Sequence, residues 1–160
     1  MKSKGLIVCG SNSQESKSLT LAKQLSEGLS IPTFYLNSSD EIPLLNNEII
    51  ASSEFPPTIN WLVEKIQETK SLILVFPQYN YNFSGFFKNV LDWCSLSSRR
   101  IFQSKRLILV GVSQTSAREE EFKKIITWTL ESLGATEVTL FNFLPESQVE
   151  ELISQIQEYV

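Results

Sequence analysis

The chain contains no histidine. That excludes a Ser-His-Asp triad, a Cys-His pair and any His-ligated metal. Cysteine is scarce as well. Cys9 and Cys94 are far apart, one in an apolar run and one in a helical pattern. Both read as small buried hydrophobes in a reducing compartment. No apolar run approaches the roughly 20 residues that span a bilayer. Met1-Lys2-Ser3-Lys4 does not read as a secretory leader. The expectation is a cytoplasmic protein with no membrane contact. Positive charge is in deficit: 14 Lys and Arg stand against 18 Asp and Glu, for a net charge of -4. This argues against a nucleic-acid partner. The one tight basic cluster, Arg99-Arg100 with Lys105-Arg106 nearby, reads as a solvated loop rim. A G-x-G-x-x-G or Walker A spacing is missing, which disfavours a dinucleotide or NTP site. Gly10-Ser11-Asn12 lacks the acidic cluster of a receiver domain.

What is present alternates. The 160 residues, with a hydrophobic share of 42%, predict one domain over residues 1–160. Apolar runs at residues 5–9, 31–36, 71–76, 106–112 and 137–141 predict five strands. Helical stripes separate them: Leu19, Ala22, Leu25 and Leu29; Ile59, Leu62, Val63 and Ile66; Phe86, Phe87, Val90, Leu91 and Cys94; Phe122, Ile126, Leu130 and Leu133. A last helix opens at Pro145 and carries Val149, Leu152 and Ile156. Ser16 or Ser18 is the N-cap of the first helix, and Gly134 closes the fourth. Residues 37–57 form a long connection that is functional or an interface, with room for a short helix near residues 47–52. Strict strand-helix alternation means a parallel sheet with helices on both faces. The first and third strands are the most apolar, so they belong in the centre. The order 2-1-3-4-5 follows: a three-layer, flavodoxin-like α/β fold with the half-polar fifth strand at an edge.

In that topology the carboxyl ends of strands one, three and four open onto one crevice. The three loops at those ends are rich in Ser, Thr, Asn and Gln; the opposite ends are not. Gly10-Ser11-Asn12-Ser13-Gln14-Glu15-Ser16-Lys17-Ser18 enters a helix N-terminus, where amides and the helix dipole attract a phosphate. The second loop places Tyr79, Asn80, Tyr81 and Asn82 at the crevice. Flat rings beside amides suit a planar aromatic cofactor. The third loop is Ser113-Gln114-Thr115-Ser116-Ala117-Arg118.

Residues 77–93 carry a specific resemblance. The run Pro77-Gln78-Tyr79-Asn80-Tyr81-Asn82-Phe83-Ser84-Gly85-Phe86-Phe87-Lys88-Asn89-Val90-Leu91-Asp92-Trp93 resembles the hallmark of the NADPH-dependent FMN reductases, approximately P-E-Y-N-x-S-x-P-G-x-L-K-N-x-I-D-W. Pro77, Tyr79, Asn80, Gly85, Lys88, Asn89, Asp92 and Trp93 match. Gly10-Ser11 followed by Ser16 is similar to that family's phosphate loop, with Ser13 where the pattern has an arginine. Ile42-Pro43-Leu44-Leu45-Asn46 and Leu133-Gly134-Ala135 extend the likeness over most of the chain.

The resemblance implies FMN as cofactor and NADPH or NADH as electron donor. It implies that Ser11, Ser13 and Ser16 bind the FMN phosphate. Pro77, Gln78, Tyr79 and Asn80 line the isoalloxazine, and Ser113 and Gln114 close its other side. Lys88, Asn89, Asp92 and Trp93 are structural in this reading and assist a subunit contact, in a homodimer or homotetramer. The implied activity passes two electrons to a small acceptor such as a quinone, azo compound, metal oxyanion or free flavin. It needs no protein nucleophile or base, which agrees with the missing histidine. Two other readings stay open: a flavin-free or weakly flavin-binding interaction module of this fold, and a flavodoxin-like electron carrier.

Overall fold

The computed structural model describes residues 5–37 and 40–160. Its sheet has the order β2-β1-β3-β5-β6, with the two-residue β4 paired to β3. The elements are β1 (Gly5–Cys9), α1 (Lys17–Leu29), β2 (Thr33–Tyr35), α2 (Asn47–Ser52), α3 (Pro57–Glu68), β3 (Ser71–Tyr79), β4 (Asn82–Phe83), α4 (Gly85–Ser97), β5 (Arg106–Val112), α5 (Glu119–Ser132), β6 (Glu137–Phe143) and α6 (Val149–Gln157). All pairings within the main five strands are parallel. The predicted 2-1-3-4-5 order is therefore what forms, once the small β4 is set aside.

Successive residues of a strand face opposite sides, and this sorts the apolar runs into two cores. Ile7, Cys9, Ile73, Val75, Ile108 and Val110 face Leu21, Ala22 and Leu25 of α1 and Leu152 and Ile156 of α6. Leu6, Val8, Leu72, Leu74, Phe76, Leu107 and Leu109 face α3, α4 and α5 through Leu62, Ile66, Val90, Leu91, Phe122 and Ile126. Each large side chain so buried contributes about 1.5–3 kcal/mol. Both faces of β1, β3 and β5 are covered, which is why their sequences are continuously apolar.

Two segments depart from the sequence expectation. β3 does not break at Pro77 but runs through Tyr79. Pro77 pairs with Val112 of β5, beyond the last β1 partner, Cys9↔Val75. A residue without an N–H is tolerated where one neighbouring strand has ended. The chain then folds back at once, with Gln78↔Phe83 and Tyr79↔Asn82 antiparallel. Asn80 and Tyr81 at the tip have φ of 49° and 60°. Positive φ at both central positions is the turn that matches strand twist in a two-residue hairpin. Phe83 is driven inward, its ring 4.9 Å from Phe76 and 5.6 Å from Phe87.

The other departure is at the C-terminal end of the chain. β6 continues to Phe143, and α6 starts at Val149 rather than Pro145. Residues 144–147 make a turn instead: Ser147 N–H donates to Leu144 O at 3.0 Å, and Leu144 N–H to Ser147 Oγ at 2.9 Å.

The long connection contains α2 and is fastened to α4. Leu45 N–H donates to Asn89 Oδ1 at 3.0 Å, Asn89 Nδ2 donates to Pro43 O at 3.0 Å, and Trp93 Nε1 donates to the same carbonyl at 2.8 Å. Asn89 and Trp93, four apart, lie on one helical face. Lys88 pairs with Asp92 at 2.7 Å on the same helix.

Candidate functional site

The crevice is built where β1, β3 and β5 end together. β1 stops at Cys9, and Gly10 N–H still donates to Val75 O at 2.7 Å. Gly10 is required by a close approach: a Cβ there would lie 2.7 Å from the Phe87 ring. Ser11 is buried, and its Oγ accepts the Ser13 N–H at 3.3 Å. The loop thereby turns before α1. Ser16 is the N-cap, its Oγ accepting Leu19 N–H at 3.1 Å. This settles the choice between Ser16 and Ser18. Ser18 instead shares the inward helix face with Leu21, Ala22 and Leu25, and its hydroxyl is buried without a partner. An orphaned hydroxyl of this kind costs about 1–3 kcal/mol. The amides of α1's first turn carry partial positive charge, and no carboxylate lies in that turn.

The second and third loops meet directly. Ser113, 4% exposed, follows Val112 of β5, and Gln78 follows Pro77 of β3; the Ser113 hydroxyl donates to Gln78 Oε1. Ser113 N–H donates to Phe143 O at 3.0 Å, tying the loop to β6. Beyond it, Gln114 is exposed. Arg118 precedes α5 in the left-handed conformation, with φ 54°. Its guanidinium lies over the Tyr81 ring at 5.9 Å from the centroid. This cation–π contact clasps the hairpin tip to the start of α5.

The first loop reaches the third through a cavity of about 610 Å³. It is lined by Glu15, Ser16 and Lys17 at the start of α1, by Val112 and Ser113 at the end of β5, and by residues 143–145 and Val149 after β6. Its size is in the range of small-molecule sites. The structure thus joins Ser16 to Ser113 across the cavity and Ser113 to Gln78 by a hydrogen bond, with Ser11 and Ser13 bonded to each other in the first loop. Pro77 and Gln78 are half-buried at the crevice floor. Tyr79 and Asn80 are carried outward on the hairpin, and Tyr79 is 61% exposed.

Sequence reasoning missed the wall formed by residues 143–149. A signal existed: Asn142-Phe143-Leu144-Pro145 is another break from strand to turn at the same end of the sheet. It also missed the Tyr81–Arg118 clasp, for which spacing gives no cue.

The thiols take no part. Burial pushes the Cys94 thiol up to about 12. Burial likewise raises Cys9, outweighing the backbone hydrogen bond of Ser11 and the Lys23 charge, which act the other way. Both stay protonated and unreactive at neutral pH. Among the described residues no cluster of metal-binding side chains occurs, and no helix is long and apolar enough to cross a membrane. The arrangement suits an anion at the start of α1 and a flat group reaching the Pro77–Gln78 and Ser113 ends of β3 and β5.

The family model for NADPH-dependent FMN reductase matches residues 3–142. An NAD(P)H-dependent FMN reductase of Pseudomonas aeruginosa is 35% identical over 72 residues, 45% of this chain and 38% of that protein. The chain thus matches well under half the length of that curated relative. An NADH:FMN oxidoreductase solved in its apo form superposes with a TM-score of 0.74 at 16% identity, over 98% of this chain and 87% of that one. An NAD(P)H:quinone oxidoreductase from Methanothermobacter marburgensis superposes with a TM-score of 0.69 at 14% identity, over 99% and 95%.

Proposed function

The chain belongs to the NADPH-dependent FMN reductase family, and from that premise we propose that it is an FMN-dependent NAD(P)H oxidoreductase acting on small electrophilic acceptors such as quinones. The observation that carries the reading is the convergence of three polar loops at the carboxyl ends of β1, β3 and β5, one of them opening a helix free of first-turn carboxylates.

The residues present fit FMN. The unpartnered Ser18 hydroxyl and the capped, cationic start of α1 suit a phosphate. The half-buried Pro77 and Gln78 and the buried Ser113 suit a flat heterocycle with donors and acceptors along one edge. In this reading Ser11, Ser13 and Ser16 hold the phosphate with their amides and hydroxyls. Pro77, Gln78, Tyr79 and Asn80 form one wall for the ring, and Ser113 and Gln114 the opposite one. The Ser113–Gln78 bond joins the second and third loops at the base of the site. When bound, FMN would supply the two-electron redox chemistry between the nicotinamide donor and the acceptor. The protein's part is orientation and exclusion of water, with no side chain moving a proton. We take residues 1–160 as one such domain, working in the cytoplasm as a homodimer.

The test is direct. Purified protein should quench the fluorescence of added FMN and then oxidise NAD(P)H in the presence of a quinone. A protein without FMN affinity returns the interaction-module reading. One that binds FMN but turns over no NAD(P)H is a carrier. Light scattering decides the oligomeric state.

A further inference from the structure

We infer that Lys17, the first residue of α1, supplies the cation that holds the cofactor phosphate; this rests on the FMN reading above. A phosphate monoester carries about 1.5 to 2 negative charges at neutral pH. The loop before α1 does not balance them: Ser11, Asn12, Ser13, Gln14 and Ser16 are neutral, and Glu15 is an acid. The helix end provides only about half a charge. A side-chain cation beside the helix start would offset the remainder.

Lys17 is placed for it. It directly follows the N-cap, is exposed, and takes part in none of the three ion pairs among the described residues. It lines the cavity that Ser16 and Ser113 also line. The residue after it, Ser18, is 1% exposed and carries the orphaned hydroxyl. That group lies on the helix face turned to the sheet, in the same first turn, and has unmet hydrogen-bonding capacity. An unspent cation and an unspent hydroxyl therefore sit on consecutive residues in a first turn that holds no carboxylate, with Glu15 one residue before the cap.

The molecule contains its own control. Lys23 lines the same cavity, but it lies six residues further along α1, which is about 9 Å along the axis. That is roughly a Debye length at physiological salt. Lys23 has the same charge and the same helix, with its backbone more than one turn further from the helix start.

The experiment is a two-ligand titration. Native protein, Lys17→Gln and Lys23→Gln are titrated with FMN and separately with riboflavin, which keeps the ring and lacks the phosphate. Flavin fluorescence is the readout, at low and physiological salt. Lys17→Gln should weaken FMN about tenfold and leave riboflavin within about twofold. Lys17→Arg should restore FMN affinity, and Lys23→Gln should change neither ligand by more than about twofold. The native preference for FMN over riboflavin should shrink with added salt, and less so in Lys17→Gln. Equal loss of both flavins in Lys17→Gln, no loss at all, or an equal effect from Lys23→Gln would overturn the assignment. A native protein that binds both flavins equally also overturns it, while leaving the ring site intact. A native protein that binds neither defeats the FMN reading itself, a result separate from any lysine effect.

Discussion

Two of the helices that start at this crevice, α1 and α5, have opposite first turns. α1 begins with a serine cap, a lysine and no carboxylate. α5 begins after a left-handed Arg118, has no side-chain cap, and places Glu119, Glu120 and Glu121 in its first turn. Both ends present free amides and partial positive charge. At α5 the chain's own carboxylates already answer that charge. At α1 no first-turn carboxylate does, and the Ser16 hydroxyl takes up one amide. The same physics thus yields a self-satisfied terminus on one wall and an open one on the other. In the proposed function the anion takes the open one, and the ring edge lies beside the other.

The comparison can be broken most forcefully at Ser16. Aspartate is as good an N-cap as serine, so Ser16→Asp should keep α1 folded while placing a negative charge against the phosphate. FMN affinity should fall about a hundredfold, equivalent to about 2.7 kcal/mol, with the circular dichroism spectrum and riboflavin affinity little changed. Unchanged FMN affinity would remove the anion from α1 altogether. Asn89→Ala perturbs neither terminus. It frees the Leu45 amide and leaves Trp93 as the one α4 side chain holding Pro43. Urea denaturation should show a loss of about 1–3 kcal/mol, with the FMN-to-riboflavin ratio preserved; a shifted ratio would mean that the connection reaches the site. Arg118→Ala removes the clasp on Tyr81, and thermal melting should report a loss of at most about 1 kcal/mol. The smallest effect is expected from Glu120→Gln. FMN titration should move by less than about twofold, since that carboxylate answers the wrong helix. A tenfold gain would show that both termini face the phosphate.

Most of the scaffold was legible because it depends on patterns of length and period. Continuous apolar runs on β1, β3 and β5 announce strands buried on both faces, and Ser16 and Gly134 announce helix ends. Gly134, at φ 93°, takes the left-handed position that closes α5. The hairpin after β3 was not legible for a physical reason. Its turn uses Asn80-Tyr81 rather than a pair ending in glycine, and a tyrosine at φ 60° carries strain that sequence rules do not anticipate. Pro77 misled in the same way, since it reads as a strand end unless one knows that β1 has already stopped beside it. α6 began late because Ser147 is spent capping a turn at Leu144. For the site, the residue types were readable in all three loops. The pairing of Ser113 with Gln78 was not, because it joins positions 35 apart in sequence that only the β3–β5 register makes neighbours.

The contact between Gly10 and the Phe87 ring has a consequence for anyone wishing to re-engineer this protein. The aromatic ring of α4 fills the space where a Cβ on the first loop would stand. Phe87 in turn stacks on Phe76 of β3, 5.7 Å between centroids. The unit that can be transplanted between scaffolds is therefore not residues 10–16 alone. A loop grafted with any larger residue at position 10 arrives with a backbone that the host's fourth helix must move to accept. Successful chimaeras should exchange the first loop and α4 together, and a library that randomises the first loop alone should return glycine at position 10.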